Sequence, residues 1–409
     1  MPPDDREMRR DGRSVVELIA DRQPGRALEG RFYTDVAVYE LELERVVYRN
    51  WIVAGHQSEL PEPGDFKVFK VGRESAILVR GSDGELSAFA NVCRHRGSLV
   101  CLEPSGHTDR FMCPYHGWTY DIDGQLVAAR SMSNGFDKDD WGLNPVSVDT
   151  IGGLILVCFS ANPPGLDGAR ADLAEPMEVF DFENLKVAAC KSYDIPANWK
   201  LAVENYQECY HCATAHPEYA QRHTLKVDWR KRAHLQEGML GRMEACGLPE
   251  IFVDRIDTKS PPGEMGYGYS RTALFDGFET GSRDGKALAP LLGKLRAYDG
   301  GASDFTLGGF SFLLAYSDHV VCYVFTPVDP TNCRCDIYWL VRSDADEGSD
   351  YDVDELTWLW DVTTQADKTI IVNNWKGVQS RYYSPGPFSE MEHAESAWTE
   401  WLLEELARE

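Results

Sequence analysis

The feature that most constrains this chain is a set of four potential metal ligands split evenly between two short segments. They are Cys93-x-His95 and Cys113-x-x-His116, with seventeen residues from 96 to 112 between the pairs. Each segment offers one thiolate and one imidazole. Both must therefore be tight loops that meet, because four ligands on one small inorganic centre leave the backbone little freedom. Gly97, Pro114 and Gly117 suit such loops and allow close backbone approach. Two thiolates on one iron and two neutral imidazoles on the other make a [2Fe–2S] cluster, with a higher potential than an all-cysteine cluster has. A structural Cys₂His₂ zinc site is the alternative. Zinc fingers place both cysteines first, whereas each loop here carries one of each, which favours the cluster. Cys101 and His107 lie off the pattern and read as a buried thiol and a surface histidine.

Around that motif the chain reads as β structure. The runs WIVAG, FKVFKV, SAILVRG and LSAFANV follow one another from residue 51, punctuated by Gly72, Gly81 and the Asp83-Gly84 hairpin signal. Asp123-Gly124 repeats that signal, and LILVCF (154–159) closes the region. Before it, 14–21 and 36–51 read as helices. After it, the Pro/Gly-rich segment 161–173 reads as a linker. Beyond the linker, 186–195 is strand-like, 199–212 helical, 305–342 a series of strands, and 353–375 a long helix. A final helix restarts after Pro385-Gly386-Pro387, with Ser389 and Glu392 spaced as a capping box. The stretch 220–320 carries little pattern. These readings predict an α+β chain in three parts: an N-terminal helical segment (1–45) packing on the third part, a small antiparallel-β domain (46–160), and a domain with a central antiparallel sheet flanked by helices (161–409). At 409 residues the chain is long enough for two cores.

Composition narrows the function. Lys plus Arg is 41 and Asp plus Glu is 66, a net charge of −25 that disfavours a nucleic-acid partner. No apolar run reaches the ~18–20 residues of a membrane span. The N-terminus lacks a signal-peptide pattern, so the expectation is a cytoplasmic protein with no membrane partner. Eleven cysteines without an export signal argue against a disulfide framework.

A second candidate centre lies in NWKLAVENYQECYHCATAHP (198–217). Glu204, Glu208 and His211 fall at i, i+4 and i+7, one face of a helix. Ionisable groups on a buried stripe need a reason, and metal ligation is one. His216 lies five residues beyond His211, so the helix must distort or end first, as Pro217 also suggests. Two histidines alone also fit a satisfied core pair, but an electron-donating cluster in the same chain requires an acceptor. A 2-His-1-carboxylate site needs one further acid. In the 353–375 helix, Asp367 shares a face with Leu359, Trp360, Ile370 and Ile371, whereas Asp361 faces the more polar Trp358, Gln365 and Lys368. Asp367 is preferred, with Asp361 the alternative.

Together these motifs resemble the Rieske non-haem iron oxygenases, specifically their catalytic alpha subunits. The resemblance spans roughly residues 40–390 and includes NVCRHRG, CPYHGWTYDIDGQL, the 198–217 segment and RYYSPGPFSEMEH. It implies a Rieske [2Fe–2S] domain held by Cys93, His95, Cys113 and His116, and a helix-grip catalytic domain holding mononuclear Fe(II) through His211, His216 and Asp367. O₂ is the co-substrate, and electrons from NAD(P)H arrive through a flavin/iron–sulfur reductase, directly or by way of a ferredoxin. Family members are usually homotrimers in which a carboxylate, here Glu208, bridges His211 to the partner's cluster histidine. Asn205 matches a residue near the iron.

Two departures refine the resemblance. Glu208 stands where aromatic-ring dioxygenases usually carry Asp, and the run ECYHC resembles the glycine betaine, carnitine and stachydrine oxygenases. These hydroxylate a carbon beside a quaternary nitrogen, a net N-demethylation by monooxygenation. Trp375 stands where many relatives carry Gln; it is either a cage ring for a cation or a core residue. The competing activity is an aromatic-ring hydroxylating dioxygenase or O-demethylase. A bare electron-carrying ferredoxin needs neither the second site nor most of this length.

Overall fold

The computed structural model describes residues 13–223, 229–246, 248, 256–259 and 262–408. Three short helices open it: α1 (Val15–Ala20), α2 (Gly30–Thr34) and α3 (Val36–Glu42), the last running into a wider turn over Leu43–Val47. Ten strands follow: β1 (Ile52–His56), β2 (Asp65–Val71), β3 (Glu74–Arg80), β4 (Leu86–Ala90), β5 (Ser105–His107), β6 (Arg110–Met112), β7 (Thr119–Asp121), β8 (Leu126–Ala128), β9 (Ser147–Ile151) and β10 (Leu154–Cys158). They form three small antiparallel sheets, ordered β1-β10-β9, β4-β3-β2-β5 and β6-β7-β8. Gly84 and Gly124 both take the positive φ that the predicted Asp-Gly turns require.

The Pro/Gly-rich segment is not simply a linker. Helix α4 (Asp167–Phe180) begins inside it and buries Ala169, Leu173, Met177 and Phe180. Their spacing of three and four residues is that of an amphipathic helix, which outweighs the Pro and Gly signal at its start.

The remaining strands build one seven-stranded antiparallel sheet. Strand β11 (Leu185–Ile195) is one edge, and the order continues through β17 (Asn332–Arg342), β16 (Val320–Asp329), β15 (Ser311–Ala315), β14 (Gly301–Leu307), β13 (Tyr267–Ala273) and β12 (Ile256–Lys259). Strand β16 is buried on both faces, touching the β lobe through β1 and β2. Across the sheet lie α5 (Trp199–Gln207) and α9 (Val353–Val378), which pack on each other. In α9, Leu356, Leu359, Trp360, Thr363, Thr364 and Ile371 are buried at helical spacing, and Asp352 caps its start through the Glu355 amide. The short helices α6 (Cys212–Ala215) and α7 (Pro217–Ala220), then α8 (Trp229–Ala245), follow α5, and α10 (His393–Ala407) ends the chain.

Helix α10 does not start at Ser389. The Glu392 carboxylate does accept the Ser389 amide at 2.5 Å, but the helix begins at His393, with Glu392 as its unpaired-capping residue. The half-formed box closes a turn before the helix rather than capping it.

The opening helices are tied to α5 by buried charge. Lys200 Nζ lies 2.8 Å from Glu42 Oε2, which also accepts Trp199 Nε1–H at 3.0 Å, and Lys200 and Glu42 are both 0% exposed. The Tyr33 hydroxyl donates to the Glu204 carboxylate at 3.0 Å. Glu204 is thus engaged in holding the helix.

Candidate functional site: a cluster lobe and a two-histidine centre

The two cluster loops repeat one backbone design. The Cys93 amide donates to the Ser98 carbonyl at 2.8 Å, and the Gly97 amide returns to the Cys93 carbonyl at 3.0 Å. The Cys113 amide donates to the Trp118 carbonyl at 2.8 Å, and the Gly117 amide returns to the Cys113 carbonyl at 3.0 Å. Gly97 and Gly117 occupy equivalent places with φ +74° and +71°, which a side chain would strain. Two loops with the same backbone hydrogen bonds therefore present the two cysteines at equivalent positions, with His95 two residues after its cysteine and His116 three after.

Cys93 and Cys113 are both buried and within hydrogen-bonding reach of each other, and the Tyr120 hydroxyl lies 3.3 Å from Cys93 Sγ. The two imidazoles meet edge to face with centroids 4.5 Å apart, and His95 stacks on Trp118. His95 Nδ1 is buried without a hydrogen-bond partner among the described residues. A buried ring nitrogen left unpaired costs free energy unless it has a use such as ligation. Two thiols and two imidazoles converging this way fit a [2Fe–2S] cluster. His116 is exposed, its ring 3.8 Å between centroids from that of the exposed Tyr115.

The second centre is built by a break in a helix. Asn198 caps α5 through the Lys200 amide, but α5 stops at Gln207, and Glu208 is extended at φ −128°, ψ 153°. The single helix expected over 199–212 is therefore two pieces. Glu208 supplies the reason: its carboxylate accepts the Tyr210 and His211 amides, taking over from the helical ladder, and Oε1 lies 2.5 Å from His211 Nδ1. The face shared by Glu204 and Glu208 does not exist. Glu204 points at Tyr33, and Glu208 at the imidazole.

After His211, α6 ends before His216, and Pro217 starts α7. This reversal brings both imidazoles to one point, with centroids 4.9 Å apart at 88°. Asp367, from the buried face of α9, puts Oδ1 3.2 Å from His211 Nε2 and 3.5 Å from His216 Nδ1. That oxygen accepts no hydrogen bond among the described residues. Ligand atoms sharing one metal at bonds of ~2.0–2.2 Å lie ~3.0–3.5 Å apart, so these three atoms fit a mononuclear metal. Burial lowers the pKa of the His211 imidazolium, but the adjacent Asp367 and Glu208 carboxylates raise it more and hold it at about 9. Two acids focused on one imidazole are the surplus negative charge that a divalent cation neutralises. Asn205 Nδ2 stands 3.5 Å from His211 Nε2.

Asp361, the alternative acid, faces elsewhere, accepting the Tyr193 hydroxyl at 2.6 Å and lying 4.0 Å from Lys191. Cys212 lies close to both histidines, but its sulfur is joined to Cys209 in a disulfide and offers no thiolate. That pairing has no counterpart in the sequence reading; the Cys-x-x-Cys spacing around His211 was the available signal.

A cavity of about 430 Å³ opens onto this centre. Tyr206, Tyr219, Phe312, Trp360 and Asp304 line it, beside Asn205, Glu208 and the two histidines. Trp375 does not; it packs at the edge of the core. The rings stand on α5, α7, α9 and β15, but the wall between them is completed by strands that the sequence pattern leaves blurred. Strands β13 and β14 lie in the stretch read as unpatterned, although YGYSRTA alternates buried and half-buried positions at its end.

The chain matches the Rieske [2Fe–2S] domain family over residues 50–150 and the ring hydroxylating alpha subunit (catalytic domain) family over 182–408. It is 33% identical to the glycine betaine monooxygenase oxygenase subunit of Pseudomonas aeruginosa, over 92% of this chain and 88% of that protein. It is 38% identical to the carnitine monooxygenase oxygenase subunit of Acinetobacter pittii, over 48% of this chain and 54% of that protein. In fold it is similar to the solved structure of a quaternary ammonium Rieske monooxygenase, with TM-score 0.73 and 23% identity over 95% of this chain and 97% of that one. The chain belongs to the ring hydroxylating alpha subunit family and is a Rieske non-haem iron oxygenase.

Proposed function

We propose that this Rieske oxygenase is the terminal component of a multicomponent system that hydroxylates a methyl or methylene carbon beside a quaternary ammonium nitrogen. The single observation that carries the reading is the cavity: ring faces from Tyr206, Tyr219, Phe312 and Trp360 stand around a two-histidine centre. A quaternary nitrogen has no N–H to donate, so ring faces and opposite charge are what can recognise it. The monooxygenases of glycine betaine and carnitine to which the chain is similar support the same substrate class.

In this reading Cys93, His95, Cys113 and His116 hold the [2Fe–2S] cluster, and His211, His216 and Asp367 hold Fe(II). The cluster supplies electrons, and the mononuclear iron supplies the binding and reductive activation of O₂. The protein's own groups position the rest. Glu208 fixes the His211 ring by accepting from Nδ1, so that Nε2 faces Asp367. Asn205 borders the open side of the centre. The rings keep bulk water from the reacting carbon. Overall, R₃N⁺–CH₃ with O₂, two electrons and two protons gives R₃N⁺–CH₂OH and water. The carbinol then releases formaldehyde and a proton, leaving the tertiary amine.

The chain is proposed to work as a homotrimer fed by a flavin/iron–sulfur reductase, directly or through a ferredoxin, with NAD(P)H as the ultimate donor. Exposed His116, beside the exposed Tyr115 ring, supports a docking role for that face, and Glu208 is proposed to bridge to it across subunits. No described helix is long and apolar enough to cross a membrane; a cytoplasmic location is part of the proposal.

The test is a substrate panel of glycine betaine, carnitine, choline and benzoates with a surrogate reductase, scored for formaldehyde and ring diols. Formaldehyde from a quaternary ammonium substrate is expected. Ring diols without formaldehyde would move the enzyme to the aromatic dihydroxylating class.

A further inference from the structure

Asp304 is a carboxylate in a place where a strand residue should be apolar. On β14 it sits opposite Ser270 of β13 and Leu314 of β15. Opposed residues share a sheet face, so Asp304 lies with Phe312 and Leu314 on the face that walls the cavity. The neighbouring Phe305 and Ser303 point the other way, into the core around Tyr269.

No described residue donates a hydrogen bond to the Asp304 carboxylate, and no ion pair reaches it. The cation whose charge it feels is Arg271. Arg271 belongs to the opposite sheet face, opposed to Ser303, and directs its guanidinium to Asp299 and Ser303. Of the other acids lining the cavity, Glu208 is engaged with His211, Asp367 with both histidines, and Glu390 is exposed at the surface. Asp304 is therefore the interior acid of this cavity that has an acid's charge to offer and no protein group to receive it. Burial pushes its carboxyl up to about 7, as expected of a carboxylate held from water without a cation. Beyond burial, its charge raises the pKa of the Tyr206 and Tyr219 hydroxyls, whose rings line the same cavity. Tyr206 stacks on Phe312 at 4.7 Å, and Tyr219 meets Trp360 at 5.5 Å, so the ring faces are fixed by one another.

We propose that Asp304 is the counter-ion for the substrate's fixed positive charge, seating the cationic head against the rings of Tyr206, Tyr219, Phe312 and Trp360 and selecting charged over uncharged heads of the same shape. The proposal rests on the quaternary ammonium reading and deepens it. The ring faces already attract a trimethylammonium more than a tert-butyl group of nearly the same size. A buried carboxylate adds to that discrimination, because Coulomb attraction across a few ångströms in a poorly solvated cavity has no counterpart for a neutral head.

The experiment measures equilibrium binding to the protein carrying both metals. The ligands are choline, glycine betaine, and their isosteres 3,3-dimethylbutan-1-ol and 3,3-dimethylbutanoate, in which carbon replaces nitrogen. Wild type is expected to favour each cation over its isostere. Asp304→Asn should weaken choline and glycine betaine by at least about tenfold, leave neutral 3,3-dimethylbutan-1-ol within about twofold, and bind anionic 3,3-dimethylbutanoate no more weakly than wild type does. Asp304→Glu, which keeps the charge, should retain the preference and serves if the Asn variant fails to fold. Cluster absorbance and iron content check that each variant is intact. Equal losses for cations and isosteres, or unchanged cation binding in Asp304→Asn, would overturn the role of Asp304 and leave the quaternary ammonium reading standing. A wild type that binds no cation, or prefers the isosteres, would overturn both.

Discussion

Replacing Glu208 by Gln tests how the centre is held. The native carboxylate does two jobs at once: Oε1 accepts from His211 Nδ1, while Oε2 accepts the Tyr210 and His211 amides. Glutamine cannot do both. With its oxygen toward His211, its NH₂ group faces two backbone donors, and the turn that ends α5 loses its cap. With its oxygen toward the amides, the NH₂ group donates to Nδ1 and shifts the ring proton to Nε2, the nitrogen 3.2 Å from Asp367. Either orientation loses at least one hydrogen bond to a charged group, about 1.5–3 kcal/mol. That corresponds to roughly 10–150-fold weaker Fe(II) binding, in line with other groups that orient metal-bound histidines. Competition with a calibrated Fe(II) chelator measures it, with the cluster's visible spectrum as an internal control. At saturating iron the variant should hold both metals yet pass electrons slowly between them. An iron affinity within about twofold of wild type would refute this account of His211.

The buried Lys200–Glu42 pair should anchor α5 and, through it, the Glu208 turn. Lys200→Met leaves a buried carboxylate without its cation and should cost about 3–5 kcal/mol, whereas Lys200→Met with Glu42→Leu should recover at least half, read by thermal or denaturant unfolding; equal losses in the single and double variants contradict the pairing. His223 is pushed down to about 4 by burial, with Nε2 2.8 Å from the Tyr316 hydroxyl and Nδ1 3.1 Å from the Tyr219 carbonyl. Its unfolded value is near 6.5, so the unfolded chain binds the extra proton between these limits; its contribution is full above pH ~6.5 and is lost as pH falls toward 4. His223→Gln should flatten the fall in stability across that window, and an unchanged slope would count against it.

What was legible in the sequence follows from how local each signal is. The cluster loops were readable because each carries its ligands, its glycine and its turn within a few residues, and the structure gives both loops the same hydrogen bonds. Asp367 was readable because α9 is long and amphipathic, so periodicity alone separates its buried face from that of Asp361. Glu208 was assigned a partner correctly as His211, but on a helical face that does not form. A side chain that captures its own following amides ends a helix, and spacing rules assume that none does. The Pro/Gly content of 161–173 concealed the start of α4. Trp375 was a candidate cavity ring because it stands where many relatives carry Gln, yet it lies about two helical turns beyond Asp367 along α9, outside the cavity. Asp304 left no local mark at all. Its meaning depends on strand pairing, which puts it opposite Leu314 and beside rings contributed by α5, α7 and α9.

The central claim is that the cluster is an electron supply and that His211, His216 and Asp367 hold the site of chemistry. One single-turnover measurement on His211→Ala addresses it most directly. The protein is reduced without O₂, mixed with O₂ and substrate, and followed by cluster absorbance and product. The account predicts an unaltered cluster spectrum and no product, while wild type forms product as its cluster is reoxidised; Asp361→Ala should behave as wild type. Product from His211→Ala at the wild-type rate would contradict the account.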